Sequence, residues 1–210
     1  MEHYGCGELI IIGQLGQNNK TEYSSPKQIP GTTWSVARAC SYKTTFAMRT
    51  DGTLWSWGYN TYGVMGQNNR TAYSSPKQIP GTTWSHISPG TESIVALKTD
   101  GTIWGWGRND GSGDDGFLGL NDAIHRSSPT QIGSDTDWNY IESNAYSAYA
   151  SKTDGTLWVW GENPQGQLGL NQATTVQYSS PVQLPGTWNF DGIKLGGKDT
   201  NIFFARKDVD

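Results

Sequence analysis

The sequence predicts an all-β chain folded as a β-propeller of about four blades, and three observations carry that prediction. A Ser-Ser-Pro step recurs roughly every fifty residues, at Ser24-Ser25-Pro26, Ser74-Ser75-Pro76, Ser127-Ser128-Pro129 and Ser179-Ser180-Pro181, each followed by a tryptophan at Trp34, Trp84, Trp138 and Trp188. An Asp-Gly-Thr-apolar-Trp-x-Trp-Gly string recurs at 51–58, 100–107 and 154–161. Glycine (27) and tryptophan (10) are abundant and aliphatic residues sparse, the profile of short strands and tight turns around a core of indole rings. A period near fifty with tryptophan and glycine at fixed places marks a propeller or array. Length therefore counts units: one repeat domain over 1–210, with approximate units 7–50, 51–99, 100–153 and 154–210, the last completed by strand 7–13.

The unit Ile87 to Trp138 shows how each element arises. Ser93–Lys98 and Ile103–Trp106 are short β runs joined by Thr99-Asp100-Gly101-Thr102. Asp-Gly between apolar runs predicts a type I′ hairpin, which needs φ > 0 at both central residues. Trp104 and Trp106 share one face of the second run and Ile103 takes the other; Gly107 ends it. Gly116-Phe117-Leu118-Gly119, like 63–66 and 166–169, predicts a tight bend that inserts a side chain between neighbouring sheets. Ser127–Ile132 reads as a proline-started edge strand. Each unit offers three or four strands, one blade's worth, with almost no helix signal.

The ends are offset from this unit. Residues 7–13 align with 52–58, with Ile-x-Ile in place of Trp-x-Trp, and 201–208 align with 93–100 and stop. The chain thus begins with the strand its own end lacks, so the N-terminal strand is expected to pair with the C-terminal one and close a ring, removing two exposed edges. Exchange of the same strands between two chains, giving an eight-blade ring, is the rival geometry.

Formal charge is −4 with no basic run, which disfavours general nucleic-acid binding. No stretch is long and apolar enough for a membrane helix, and Leu9-Ile10-Ile11-Ile12 is too short for the core of a signal peptide. The expected place is the cytoplasm or an assembled virion. Cys6 and Cys40 are expected to be free, structural thiols.

The pattern Asp-Gly-x-apolar-Trp-x-Trp-Gly-x-Asn-x-x-Gly-x-apolar-Gly, followed by a proline-containing strand, resembles the regulator of chromosome condensation (RCC1) repeat, most clearly at 51–66 and 154–169. The resemblance covers essentially the whole chain. It implies a propeller, usually of seven blades, in a family whose faces serve nucleotide exchange on a small GTPase, chromatin binding, enzyme inhibition and light sensing. Fold does not select among these. The chain departs from the family in having four repeats, in lacking His-Thr before the central strand, and in showing no counterpart of the hairpin that exchange members insert into the GTPase. Guanine-nucleotide exchange is accordingly disfavoured. Residues 18–35 and 68–85 differ only at Lys20/Arg70 and Glu22/Ala72, a near-identity that points to recent duplication of a viral or environmental bacterial style.

No catalytic chemistry emerges. His3, His86 and His125 fall at unrelated places in the period, and no nucleophile elbow or phosphate-cradling loop is present. No cofactor is indicated. Asp51, Asp100 and Asp154 read as turn residues and the Trp-x-Trp pairs as core. Asp110, Ser112 and Asp114 imitate the opening of a calcium loop, but the glycine falls one place late and the twelfth position is not acidic, so no metal is assigned. The expected function is noncatalytic recognition of another protein through the nonrepeated loops 59–62, 108–115 and 171–177, with Tyr59, Asn60, Tyr62, Arg108, Asp110, Asp114 and Asp115 as contact residues. A second copy of the chain is a further candidate partner. The alternative is a carbohydrate-binding propeller that uses Tyr23, Tyr73 and Tyr178, which recur beside Ser-Ser-Pro, as stacking platforms.

Overall fold

A computed structural model describes residues 13–39, 43–110, 116–173, 176–186, 188–189 and 206–207. Cys6, Cys40, Ser112, Asp114, Asp115 and most of the closing strand 7–13 lie outside these residues. The strands are β1 (Trp34–Ala39), β2 (Thr44–Arg49), β3 (Leu54–Gly58), β4 (Tyr73–Gln78), β5 (Trp84–Pro89), β6 (Ser93–Lys98) and β7 (Ile103–Gly107). They continue as β8 (Arg126–Gln131), β9 (Trp138–Ser143), β10 (Ser147–Lys152), β11 (Leu157–Gly161), β12 (Tyr178–Leu184), β13 (Trp188–Asn189) and β14 (Arg206–Lys207). Three antiparallel four-stranded sheets follow in chain order, β1–β4, β5–β8 and β9–β12, and β13 pairs with β14. No helix occurs among the described residues. This is the predicted all-β propeller architecture.

The Asp-Gly-Thr hairpins differ from the expected type I′ turn. Gly101 N–H donates to the Lys98 carbonyl at 3.1 Å and Lys98 N–H to the Thr102 carbonyl at 3.0 Å, leaving a three-residue loop. Gly101 has φ +75°, whereas Asp100 is not among the residues of positive φ. The loop is a type I turn closed by a glycine bulge. The cause is local: Asp100 Oδ1 accepts from the backbone N–H of Thr102 at 3.0 Å and from its hydroxyl at 2.6 Å, and Thr102 Oγ1 accepts the Trp104 indole N–H at 2.8 Å. The same relay joins Asp51, Thr53 and Trp55, and Asp154, Thr156 and Trp158. The Thr102 hydroxyl, then its N–H, hold the Asp100 carboxyl below its ordinary value. The repeated aspartates are turn anchors.

The second tryptophan of each pair, Trp57, Trp106 and Trp160, is completely buried. Phe46, Leu54, Ile79, Trp84, Ile87 and Trp106 fill the space between the first two sheets. Ile103, Ile132, Trp138, Ile141 and Trp160 fill the next. The first tryptophan of each pair is half-buried and capped by a cation: Arg49 stands 4.6 and 4.3 Å from the Trp34 and Trp55 rings, Lys98 4.8 and 3.9 Å from Trp84 and Trp104, Lys152 4.8 and 5.1 Å from Trp138 and Trp158. Charge over an indole face contributes about 0.5–1 kcal/mol at such partly exposed sites. Pro76, Pro129 and Pro181 sit inside β4, β8 and β12 instead of heading them. These are outermost strands, where a missing N–H leaves no ladder bond unmade.

Hydrogen bonds join successive sheets at fixed places. The backbone N–H groups of Trp84, Trp138 and Trp188 donate to the carbonyls of Gly52, Gly101 and Gly155 in the preceding hairpin. The Gly-x-apolar-Gly bend reaches the next sheet through its backbone: the Trp57 indole donates to the Gln14 carbonyl and the Trp106 indole to the Val64 carbonyl, both at 2.8 Å. The inserted apolar residues Met65, Leu118 and Leu168 are buried as expected.

A polar seam joins the second and third sheets along their first strands. Ser143 N–H donates to Ser88 Oγ at 2.7 Å, Ser143 Oγ to the Ser88 carbonyl at 2.7 Å, and Ser88 Oγ to Glu142 Oε1 at 3.0 Å. The Tyr140 hydroxyl donates to Glu142 Oε2 at 3.2 Å. Burial raises the Glu142 carboxyl above 4.5, against the opposing pull of the Ser88 and Tyr140 bonds and of the Arg38 charge. A raised folded value favours the protonated acid, so this contribution to stability is full below the unfolded value and is lost as pH rises through the folded one. Glu142→Gln, which stays neutral throughout, is therefore expected to gain stability over the parent protein as pH rises from about 4 to about 7. Thermal melts of both proteins across that range check it, and a difference that does not move with pH refutes it.

Candidate functional site

Strand register places the three nonrepeated loops at one end of the sheets. Thr44 pairs with Gly58 and Gly58 with Tyr73, so the start of β2, the end of β3 and the start of β4 lie together. The second and third sheets repeat this with Ser93, Gly107 and Arg126, and with Ser147, Gly161 and Tyr178. The connections that carry 59–62, 108–110 and the described part of 171–177 leave β3, β7 and β11 from this end, and the Asp-Gly-Thr hairpins occupy the other. Loop residues of neighbouring sheets touch here: Phe117 packs edge-on against Tyr146 at 5.4 Å, and Thr91 N–H donates to the Ala145 carbonyl.

Side chains from two of the three loops meet between the first and second sheets. The Tyr62 ring lies edge-on to His125 at 4.9 Å, and the Arg108 guanidinium stands 5.2 Å from its centroid. Arg108 Nη1 is 3.0 Å from Glu92 Oε2 and its Nε 2.5 Å from Asp110 Oδ1. His125 Nδ1 accepts the Asn109 backbone N–H at 3.0 Å, which puts the ring hydrogen on Nε2, 4.0 Å from Asp110 Oδ2. The Asp110 bond raises the Arg108 guanidinium above its ordinary value. Burial draws the Asp110 carboxyl up, but the Arg108 bond and charge outweigh this and hold it below the usual range. Both stay charged at neutral pH. Beside them Ile124 is 63% exposed, the one large exposed hydrophobic residue among those described.

The loop is held from beneath by an asparagine. Asn109 is fully buried; its Oδ1 accepts Leu118 N–H at 2.8 Å, and its Nδ2 donates to the carbonyls of Asp122 and Ile124 at 2.7 and 3.3 Å. Asn60 does the same one sheet earlier, accepting Met65 N–H and donating to the carbonyls of Asn69 and Thr71. Asn60 is 1% exposed with its amide spent internally, so it supports the loop from beneath. Tyr59 is half-buried at the same end of the first sheet. Glu92, Ile124 and His125 were absent from the sequence-derived set. The break in the Tyr-Ser-Ser-Pro series at His125-Arg126 was the one sign of them in the sequence.

Tyr23, Tyr73 and Tyr178 do not share one environment. Lys27 and Lys77 stand 5.0 and 5.1 Å from the rings of Tyr23 and Tyr73. Tyr178 packs against the apolar groups on either side of the third sheet. Arg126 takes the corresponding place in the second sheet. Among the described residues no three His, Cys, Asp or Glu side chains converge as metal ligands, and Asp110 is engaged by Arg108. Among the same residues no helix is long and apolar enough to cross a membrane.

Stacked four-stranded meanders with variable loops at one end define a β-propeller. Two stretches, residues 51–97 and 154–196, match the profile of the Regulator of chromosome condensation (RCC1) repeat. The fold is similar to Prp20p from Saccharomyces cerevisiae, a structure described with its binding to Gsp1p and histones, at TM-score 0.66 and 17% identity over 85% of this chain and 45% of that one. It is also similar to yeast RCC1 (Prp20) bound by Kap60, at TM-score 0.64 and 18% identity over 86% and 44%. Human WBSCR16 aligns at TM-score 0.60 and 19% identity over 72% and 38%. The chain thus spans under half the length of each of these structures. No curated protein matches it in sequence.

Proposed function

We propose that this chain is a noncatalytic recognition module that binds another protein through the loop end of its first two sheets. The observation that carries this is Ile124, exposed beside the Tyr62, Arg108, Asp110 and His125 cluster on a loop whose residues are not repeated in the other sheets. An apolar anchor ringed by aromatic and charged groups is the usual make-up of a binding hot spot. A surface that differs from blade to blade can also select one partner, as a repeated one cannot. Between Arg108 and Arg126 the chain carries Asp110, Asp114, Asp115 and Asp122 against two arginines, and buried Glu92 adds a further carboxylate, so the partner surface is basic. Protein binding by Prp20p supports the class of function and leaves the partner open.

A photo-crosslinking amino acid at position 124, with one at Thr99 on the hairpin end as comparison, would capture the partner from cell extract. Titration of that partner is expected to weaken by about tenfold or more with Ile124→Ala, and to weaken further as salt rises. Crosslinking from the hairpin end alone, or an affinity unchanged by Ile124→Ala, would overturn the proposal.

A further inference from the structure

His125 closes the connection between β7 and β8 with a bond that only an uncharged imidazole can make. Asn109 is wholly buried, so its backbone N–H is shut off from water, and its one acceptor among the described residues is His125 Nδ1, 3.0 Å away. To accept, Nδ1 must offer its lone pair, which leaves the ring hydrogen on Nε2. A proton arriving from solvent adds at that same lone pair. Nδ1 then becomes a donor facing a donor, and a buried N–H loses its partner.

The charged groups around the ring do little to offset this. Asp110 Oδ2 is 4.0 Å from Nε2, beyond hydrogen-bond length, and its side chain is 45% exposed, so the attraction is screened by water. The same carboxylate is already engaged by Arg108 through Oδ1. Arg108, also paired with Glu92, brings a positive guanidinium to within 5.2 Å of the Tyr62 ring that meets His125 edge-on. Arg126, the next residue, is paired with Asp122. An imidazolium here either turns away from Asn109 or competes with Arg108 for Asp110.

Either movement reaches the surface proposed to bind the partner. The Asn109 side chain accepts Leu118 N–H and donates to the carbonyls of Asp122 and Ile124, so a shift of its backbone is passed to Ile124. Ala72 and Gln177 precede β4 and β12 where His125 precedes β8, so the second sheet alone places a histidine there.

We propose that His125 is a proton-operated latch on this surface: resting on the recognition role above, the neutral ring holds the loop and its basic partner, and the protonated ring lets both go. Charge acts in the same direction as geometry, because an imidazolium next to Ile124 repels a basic partner.

Nitrogen-proton NMR of the free chain between about pH 8 and about pH 5, the span in which histidine changes charge, tests the latch without any partner. Long-range correlations of the imidazole are expected to show hydrogen on Nε2 at the upper end, and the Asn109 amide proton to move upfield in step with protonation of Nδ1. His125→Gln, whose side-chain carbonyl accepts but does not titrate, is expected to keep the Asn109 amide still. The partner captured at position 124 is expected to bind about tenfold more weakly at the acid end, the equivalent of one buried hydrogen bond, and His125→Gln to remove that dependence. Hydrogen on Nδ1 at neutral pH, or an Asn109 amide unmoved while His125 titrates, would refute the latch and leave the recognition role standing. An acid loss of affinity just as large with His125→Gln would refute it too. Crosslinking from the hairpin end alone would remove the recognition role, whatever the Asn109 amide does.

Discussion

Trp106→Ala is expected to lower stability by about 3–5 kcal/mol, the range for emptying a buried tryptophan site. The ring is completely buried, packs 5.7 Å from Trp84, and faces Gly66 of the preceding sheet, where a Cβ would come 2.9 Å from its Nε1. Alanine removes more than volume. The Val64 carbonyl, which now accepts the indole N–H at 2.8 Å in a buried setting, loses its donor. An unpaired buried carbonyl costs about 1–3 kcal/mol. In a chain of this size the midpoint would fall by about 10 °C or more. Trp104→Ala, two residues away on a half-buried ring, is the internal comparison, with an expected loss of about half as much or less. Thermal and urea unfolding of the two variants measure the difference. Equal losses would mean that the contact between sheets adds nothing to the packing within one.

Asn109→Ala is expected to cost about 2–4 kcal/mol and to abolish partner binding as well. The substitution strips Leu118 N–H of its acceptor and the carbonyls of Asp122 and Ile124 of their donor, all under a loop that carries the proposed contact residues. Asn163→Ala makes the comparison. That asparagine accepts Leu168 N–H at 3.0 Å and holds the bend of the third sheet, away from the Ile124 cluster. Both variants should melt early, and only Asn109→Ala should lose the partner captured at position 124. Loss of binding in both would show that the loop end of all three sheets acts as one surface.

How far the sequence could be read follows from what kind of contact each residue makes. Repeated residues with local partners are legible: Asp100, Thr102 and Trp104 lie within one hairpin, and their recurrence in the sequence marks a structural role. The turn type is not legible because Asp-Gly is common to both hairpin classes, and the bonds from the Thr102 N–H and hydroxyl to the Asp100 carboxylate decide between them. Asn60 was placed among contact residues because it sits in a variable loop. Its recurrence as Asn109 and Asn163 is the sign of a supporting role, in keeping with its burial.

The nonlocal contacts were not legible. Tyr62 and His125 are sixty-three positions apart, and Glu92 precedes β6 while Arg108 follows β7, so no spacing rule brings them together. Sequence alone determined the blade: the hairpins, the indole core and the number of repeats, because these depend on residues near one another in the chain and repeated in register. Only the tertiary structure decided which loop end gathers Tyr62, Arg108, Asp110, Ile124 and His125. That depends on how one sheet stacks on the next, and stacking is set by side chains that meet across blades.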